Sequence, residues 1–348
     1  MTDPVNIAPS RKSKPIEWLR FFCAICVVFL HAGIPSDAQD TISCHNGISD
    51  TLRIIISHGF CRVAVPIFFI ISGYLFFIGL TDWDFRQWGS KLKKRVNSLL
   101  IPYILWNILS ILVSWGAHEF VSTPIIHNPW SVAMLYDTGT GLPHNYPLWF
   151  IRNLMILNLL APLIYVYVRR TRIFGIVILF LLYFFNYWTT LPGFEATGFF
   201  FYSLGALISI SQLDMPDLCR KIRLPTAIAA VPLLLLMILS HGHNPPLWEY
   251  THRIFALIGS ISTIGIVTYF IDRIKVSDFL SKSAFFVYAA HGTIVLPLVQ
   301  HILRRLLPSS LVIQYLSAPL LTIGILLLCY WLLTLYMPRI TKILVGGR

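Results

Sequence analysis

The sequence predicts an all-α, polytopic membrane protein with about ten transmembrane helices and both termini in the cytoplasm. Of its 348 residues, 56% are hydrophobic and only 12% are charged, and the mean hydropathy is +0.71. This composition is too apolar for an ordinary soluble domain. Ten apolar runs have about the length needed to cross a hydrocarbon core of about 30 Å. They are 16–35, 63–80, 98–117, 147–168, 173–190, 197–212, 225–241, 251–271, 283–303 and 311–337.

The positions of Lys and Arg set the predicted orientation. With the N-terminus in the cytoplasm, 20 of the 27 basic residues fall in the tails and inner connections, and the long outer loop 118–145 has none. This asymmetry is the one that the positive-inside rule describes. The net charge of +12 then follows from topology, so we expect the lipid bilayer as a partner and no nucleic acid.

We expect one transmembrane domain over 16–337, with cytoplasmic tails at 1–15 and 338–348. Polar residues precede the first apolar run without a small-residue cleavage pattern, so this run is predicted to remain as the first span. The sequence has no zinc-type Cys/His spacing and no Gly-rich phosphate loop, so no metal is expected. Cys44 and Cys61 fall together on the outer side, which leaves a disulfide between them open.

The stretch RFFCAICVVFLH begins with Arg20 and ends with His31, and the ten residues between them carry no charge. Eleven helical positions turn about 1100° and rise about 16 Å, so the two side chains share one face at different depths. Taken singly, Arg20 fits a snorkelling anchor and His31 an interfacial histidine. Ionisable groups in spans, however, usually face a bundle interior or a wet cavity. Because an imidazole accepts protons near neutral pH and a guanidinium holds anions, the pair suggests proton transfer above an anion-binding entrance.

The same reasoning applies to Arg152 in the fourth apolar run and to His291 in the ninth. Trp149 fits an aromatic belt at the membrane interface. Together with Arg152 and Asn153 it also fits the rim of a sugar-binding site. His291 follows Tyr288 by one helical turn, and a buried hydrogen-bonded pair is favoured over a second catalytic base.

The apolar segment IFFIISGYLFF contains Ser72, Gly73 and Tyr74. A Gly after a Ser in an apolar helix lets another backbone approach closely, so helix packing is the favoured interpretation. A covalent acyl-serine would need an adjacent base, and the sequence does not bring His31 beside Ser72.

Six segments in order along the chain resemble the marks of the acyltransferase-3 family of integral membrane O-acyltransferases. The first is the Arg-x10-His pattern of the first span, and the resemblance covers about 16–300. The others are RVAVPIFFIISGYLFF (62–77), KLKKRVNSLLIPYILW (91–106), PLWFIRNLMILNLLAPLI (147–164), FFFYSLGALI (199–208) and LSKSAFFVYAAHGTIVLPL (280–298).

The resemblance is to compact members that O-acetylate a bacterial surface glycan, and it implies an enzyme of the bacterial cytoplasmic (inner) membrane. It implies acetyl-CoA as the cytoplasmic acyl donor and a surface polysaccharide or lipid-linked oligosaccharide as the acceptor. His31 and Arg20 would be the catalytic residues. His31 would act as the general base, and Arg20 would hold the donor or the helix arrangement. The donor-binding candidates are Arg95, Lys94, Lys93 and Arg20. The acceptor or oxyanion candidates are Arg152, Trp149, Asn153, Ser72, Tyr74 and His291.

One departure from the family pattern concerns the donor-binding segment. Many relatives carry a second arginine shortly after the first, where this chain has Asn97 and Ser98 after Arg95. Lys93 and Lys94 would then replace the missing guanidinium only as point charges. In most membrane proteins such a basic run only sets topology, and that interpretation stays open here.

Two alternatives to an acetyltransferase stay open, as does a homo-oligomer. A relative with another acyl group, such as succinyl, would need an extra cation near the reacting centre, and Arg152 is the candidate. A transporter of a glycan or lipid-linked precursor would also be a helical bundle with polar residues in its spans. Against it, the sequence lacks obvious paired broken helices in corresponding halves, which are typical of inverted-repeat transporters.

Overall fold

A computed structural model describes residues 9–32, 48–80, 82–118, 141–188, 191–271 and 277–347. All regular secondary structure in these ranges is helical, which confirms the predicted all-α class. The α-helices are α1 Pro9–Ala32, α2 Ile48–Arg53, α3 Ala64–Phe77, α4 Phe85–Arg95, α5 Ile101–His118, α6 Trp149–Leu159, α7 Ala161–Thr171, α8 Ile173–Phe184, α9 Ala196–Ile210, α10 Met215–Lys221, α11 Arg223–Ser240, α12 Pro245–Phe270, α13 Asp278–Ala290, α14 Leu296–Leu306, α15 Leu311–Tyr336 and α16 Pro338–Leu344.

Shorter helical segments of other types join several of these α-helices. The π-helical segments are Ile54–Gly59, Val96–Leu100 and His291–Val295, and the 3-10 turns are Phe60–Val63 and Tyr146–Leu148.

All ten predicted apolar runs contain helix, and the polytopic class is confirmed. Six helical stretches in the described ranges are long and apolar enough to cross a membrane, and three bent helix pairs raise this number to nine. The six are Lys14–Ala32, Ile48–Phe77, Phe85–Gly116, Arg223–Ser240, Pro245–Phe270 and Leu311–Tyr336. The fifth predicted run is helical only over α8, whose 12 residues span about 18 Å. By length alone, α8 does not reach across a hydrocarbon core of about 30 Å.

The three bends have a common cause in the sequence. The chain turns by 68° between α6 and α7 and by 101° between α9 and α10. It turns by 58° between the helical stretch Asp278–Thr293, which contains α13, and α14. The second helix of each pair has a proline in its first two positions: Pro162, Pro216 and Pro297. Proline lacks an N–H and its ring clashes with the preceding turn, so it starts a new helix more readily than it continues one.

Helices α3 and α9 cross with their backbones in contact. A Cβ atom on Gly73 would overlap the carbonyl oxygen of Tyr202, and one on Gly205 would overlap that of Ile70. Only glycine permits this approach at both positions. The packing interpretation of Gly73 is therefore confirmed.

The C-terminal helix lies at the end of the bundle that holds the basic helix α4. Trp106 of α5 donates its indole N–H to the carbonyl oxygen of Leu344 at 3.0 Å, and Gly346 packs on the backbone of Ser98. Arg20 in the first half of α1 lines a cavity together with Arg95 at the end of α4. Both described ends of the chain thus approach one end of the bundle, as two cytoplasmic termini require.

The structure describes only one of the two cysteines for which a disulfide was left open. Cys44 lies outside the described residues. Cys61 has a free thiol and is buried, where it lies beside Cys26 of α1. The pairing therefore stays a prediction.

Candidate functional site

Two cavities enter the helical bundle from opposite ends. The inner cavity has a volume of about 320 Å³ and lies at the end of the bundle that holds α4. Its charged lining residues are Glu17, Arg20, Arg95, Asp278 and Lys282. The outer cavity has a volume of about 500 Å³. Its ionisable lining residues are His31, Arg62, Tyr183, Glu195, Glu249, His252, Arg253 and Tyr288.

The two cavities share three aromatic lining residues, Phe68, Phe150 and Tyr288. The ring centroids of Phe68 and Phe150 are 5.4 Å apart, and those of Tyr288 lie 6.2 Å and 6.3 Å from them. Such distances are those of directly packed rings. We call these three residues the aromatic septum, because one layer of rings separates the inner from the outer cavity.

His31 lines the outer cavity and is oriented by a histidine on another helix. Its Nδ1 atom is 2.8 Å from Nε2 of His291, and Nδ1 of His291 is 2.7 Å from the carbonyl oxygen of Tyr288. A carbonyl oxygen only accepts hydrogen bonds, so Nδ1 of His291 carries a proton. Nε2 of a neutral His291 then accepts from Nδ1–H of His31. This tautomer leaves Nε2 of His31 as the basic nitrogen.

A 3-10 turn at Tyr146–Leu148 fixes the surroundings of this histidine pair. The Tyr146 ring stands edge-on to His31 with the centroids 4.9 Å apart. The hydroxyl of Tyr288 donates to the carbonyl oxygen of Pro147, and a Cβ on Gly292 would lie 2.6 Å from the Pro147 ring. The turn is thus held against α13 and the π-helical segment after it, and π-helical turns are often found at functional sites.

The loop residues ahead of this turn are also held in place. Asn145 donates from its backbone N–H to Asn107 Oδ1 at 2.9 Å and from its side chain to the Ala289 carbonyl at 2.9 Å. His144 lies 3.3 Å from Ser114 Oγ, and burial lowers the pKa of this histidine. A neutral His144 adds no positive charge to the outer rim.

The predicted donor-binding residues divide into two groups. Arg20 and Arg95 line the inner cavity, whereas Lys93 and Lys94 are exposed on α4 and do not line it. The third cation of the cavity is Lys282 of α13, which the sequence assigns only to an inner connection. The inner cavity therefore holds three cations that come from three different helices.

The serine and tyrosine of the second-span motif lie away from His31. Ser72 lines the inner cavity, so the aromatic septum lies between its hydroxyl and His31. Tyr74 is buried and lines neither of the two cavities. Trp149, in contrast, lines the outer cavity. An acyl-serine at Ser72 with His31 as its base does not fit this arrangement.

Arg152 and Asn153 form a buried network rather than a cavity wall. Arg152 donates from Nη1 to the Gly141 carbonyl at 2.6 Å and approaches Glu195 at 3.5 Å. Asn153 donates to the other carboxylate oxygen of Glu195. Neither residue is part of the outer cavity lining. Arg152 is therefore neutralised by Glu195 and does not supply the extra cation considered for a succinyl donor.

Arg62 is the residue that sequence reasoning missed. It opens the second-span motif, lies in the 3-10 turn Phe60–Val63, and lines the outer cavity with His31. Its Nε atom is buried and has no hydrogen-bond partner among the described residues. The sequence signal for it was a cation at the start of an apolar run. The topology prediction counted Arg62 only as a basic residue on the outer side.

The bundle is that of a polytopic membrane protein with two cavities, which are separated by the aromatic septum. Comparison with known sequences identifies the class. Residues 14–334 match the family described as Acyltransferase domain, so the chain belongs to this acyltransferase family and is an acyltransferase. The predicted resemblance is confirmed.

The chain is also similar to a known protein over nearly its whole length. It is 25% identical over 353 residues to the succinoglycan biosynthesis protein ExoH of Rhizobium meliloti (strain 1021). The alignment covers 97% of this chain and 92% of that relative. No solved structure matches the chain.

Proposed function

We propose that this protein transfers an acyl group from a cytoplasmic acyl-CoA to a hydroxyl of a surface polysaccharide or lipid-linked oligosaccharide in the bacterial inner membrane. The observation that supports it best is the position of His31. Its imidazole lines the outer cavity, hydrogen-bonded to His291, with only the aromatic septum between that cavity and the inner one.

The inner cavity suits an anionic donor. Arg20, Arg95 and Lys282 outnumber the two carboxylates, Glu17 and Asp278. Coenzyme A carries phosphates, which guanidinium and ammonium groups bind with charge-assisted hydrogen bonds. Its thioester arm is narrow and extended, and it would run along α1 from Arg20 toward His31, a rise of about 16 Å. Acetyl-CoA is the donor predicted from the family resemblance and the one we propose to test first.

The outer cavity suits a sugar acceptor. Trp149, Trp188 and Tyr183 supply aromatic faces, and Glu195 and Glu249 supply carboxylates that accept hydrogen bonds from hydroxyl groups. The relative named for succinoglycan biosynthesis supports a glycan acceptor.

The reaction needs one base and no covalent enzyme intermediate. Nε2 of His31 takes the proton of the acceptor hydroxyl as its oxygen attacks the thioester carbonyl. The C–S bond breaks, and the proton passes from His31 to the departing thiolate of coenzyme A. His291 holds the reactive tautomer of His31 throughout. For the thioester to meet the hydroxyl, the rings of the aromatic septum have to move apart.

The experiment is transfer of radiolabelled acetyl from acetyl-CoA to the native glycan fraction, with membranes that contain the wild-type protein or His31→Ala. We expect label in the glycan with the wild type and a loss of about 10²-fold or more with the variant, which is the usual contribution of a general base. Equal expression and melting midpoint of the two proteins serve as the control. Near-normal turnover by His31→Ala would refute the mechanism.

A second readout separates the enzyme from the transporter alternative. A donor that binds only the folded protein raises its melting midpoint. We expect acetyl-CoA to stabilise the purified protein, and Arg95→Gln to weaken this stabilisation more than Lys93→Gln does. Glycan movement across proteoliposomes without consumption of acyl-CoA would instead favour transport.

A further inference from the structure

Arg62 brings a positive charge into the outer cavity, where no carboxylate of the described residues lies within ion-pair distance of it. Its Nε atom is buried and has no hydrogen-bond partner, and no ion pair joins Arg62 to a carboxylate in the part of the chain that the structure describes. A guanidinium carries five N–H donors and stays charged. Burying such a group costs free energy unless a hydrogen-bonding anion accompanies it.

The other charges of the outer cavity are already paired. Glu249 lies 2.6 Å from Arg253 on the same helix, and Glu195 lies 3.5 Å from Arg152. Because Arg152, from outside the lining, pairs with Glu195 and Arg253 pairs with Glu249, the positive charge of Arg62 is in excess among the described residues. The two histidines of the lining, His31 and His252, add no negative charge in either protonation state.

The excess charge lies where the substrates would meet. Arg62 and His31 line the same cavity of about 500 Å³, and the turn that carries Arg62 leads directly into α3, which carries Phe68 of the aromatic septum. The planar fork of a guanidinium matches a carboxylate with two parallel hydrogen bonds. A carboxylate is thus a group that satisfies both the geometry and the charge of this position.

We propose that Arg62 forms a carboxylate-binding subsite of the outer cavity, which holds a carboxylate of one of the two substrates while His31 acts on the hydroxyl. This inference rests on the proposed function and specifies its substrate class. Two sources carry the same chemistry. One is the distal carboxylate of a dicarboxylic acyl group such as succinyl, and the other is the carboxylate of an acidic sugar in the acceptor glycan.

A binding experiment tests the subsite without requiring transfer. The melting midpoint of the purified full-length protein is measured with succinate or glucuronate, and with their uncharged counterparts succinamide and glucose. We expect one of the two anions to raise the midpoint of the wild type, and Arg62→Gln to remove this shift. Arg62→Lys, which keeps the charge but not the fork, should retain part of it. The control variant is Arg305→Gln, which removes an exposed arginine of α14.

A transfer experiment then distinguishes the two sources. If the carboxylate belongs to the acyl group, Arg62→Gln lowers kcat/KM with succinyl-CoA by roughly tenfold or more and spares acetyl-CoA. If it belongs to the acceptor, the variant lowers kcat/KM with both donors alike, and the loss vanishes on a carboxyl-reduced glycan. Should Arg62→Gln fail to fold, the same comparisons are made with Arg62→Lys.

The subsite is overturned if neither anion stabilises the wild type more than it stabilises Arg62→Gln and the variant changes neither donor preference nor acceptor preference. The proposed function can fail separately. The protein could transfer no acyl group from any acyl-CoA and still be stabilised by an anion in a way that depends on Arg62. This result would refute the transfer mechanism and support the subsite.

Discussion

His31 Nδ1 and His291 Nε2 lie 2.8 Å apart, although 260 positions separate the two residues in the sequence. The contact joins α1 to the π-helical segment after α13. Because His291 is in turn held by the Tyr288 carbonyl, the direction of the whole hydrogen-bond chain is fixed at its buried end. The basic nitrogen of His31 thereby points away from His291.

His291→Gln and His291→Leu should separate positioning from packing. A glutamine oxygen still accepts from Nδ1–H of His31, whereas leucine leaves that donor unpaired. We expect His291→Leu to lower kcat by roughly tenfold or more with KM for the donor nearly unchanged, and His291→Gln to recover part of the loss. Steady-state kinetics with both variants check this. An equal loss for Gln and Leu would contradict a positioning role.

Removing one ring of the aromatic septum should uncouple donor consumption from glycan modification. Phe68→Ala opens a path between the cavities, so water reaches the thioester and competes with the glycan hydroxyl. We expect the ratio of released coenzyme A to acylated glycan to rise above that of the wild type. The matched control is Phe174→Ala on α8, whose side chain is 77% exposed. An unchanged ratio in the Phe68 variant would count against the septum as a barrier.

Gly73→Ala should destabilise the bundle. The added Cβ would overlap the backbone carbonyl of Tyr202, and forcing atoms into a packed site costs typically about 1–3 kcal/mol. Gly324→Ala is the control, because a Cβ there meets no atom within 4 Å. The melting midpoints of the two variants give the comparison. Gly73→Ala should lower the melting midpoint by several degrees more than Gly324→Ala does. Equal shifts would show that the close contact between α3 and α9 is not needed for stability.

Arg152→Ala should affect stability more than the acyl-transfer step. The substitution leaves Glu195 without its cation, and breaking a buried pair costs up to about 3–5 kcal/mol. The Glu195 side chain is 35% exposed, so we expect a smaller loss. A second change, Glu195→Gln, should restore part of the melting midpoint of Arg152→Ala. A stable Arg152→Ala protein with a selective loss of kcat would instead favour direct contact with substrate.

The helical bundle was largely predictable from the sequence because apolar length is a local property. All ten apolar runs contain helix. The bends at Pro162, Pro216 and Pro297 were not predicted, although each proline is visible in the sequence. A proline near a helix start fits both a bend within one span and a boundary between two helices, and only packing decides between these.

The relative placement of two site residues was predictable only where both lie on the same helix. Arg20 and His31 share α1, so their relative placement follows from helical geometry. The choice between Arg152 and Arg62 as the unpaired cation depends on Glu195, which is 43 positions from Arg152 and approaches it only in the folded chain. The sequence also could not place Ser72 in the inner cavity or Lys93 outside it, since the cavity walls are formed by neighbouring helices.

The aromatic septum is only one ring thick, and this determines which part of the acyl donor has to leave the cytosol. Under the proposed function, only a few atoms of the donor pass the septum formed by Phe68, Phe150 and Tyr288. The nucleotide stays behind and returns to the metabolic pool, so the periplasmic side needs no activated compound of its own. The modification of the cell surface is then governed directly by the intracellular ratio of acylated to free coenzyme A.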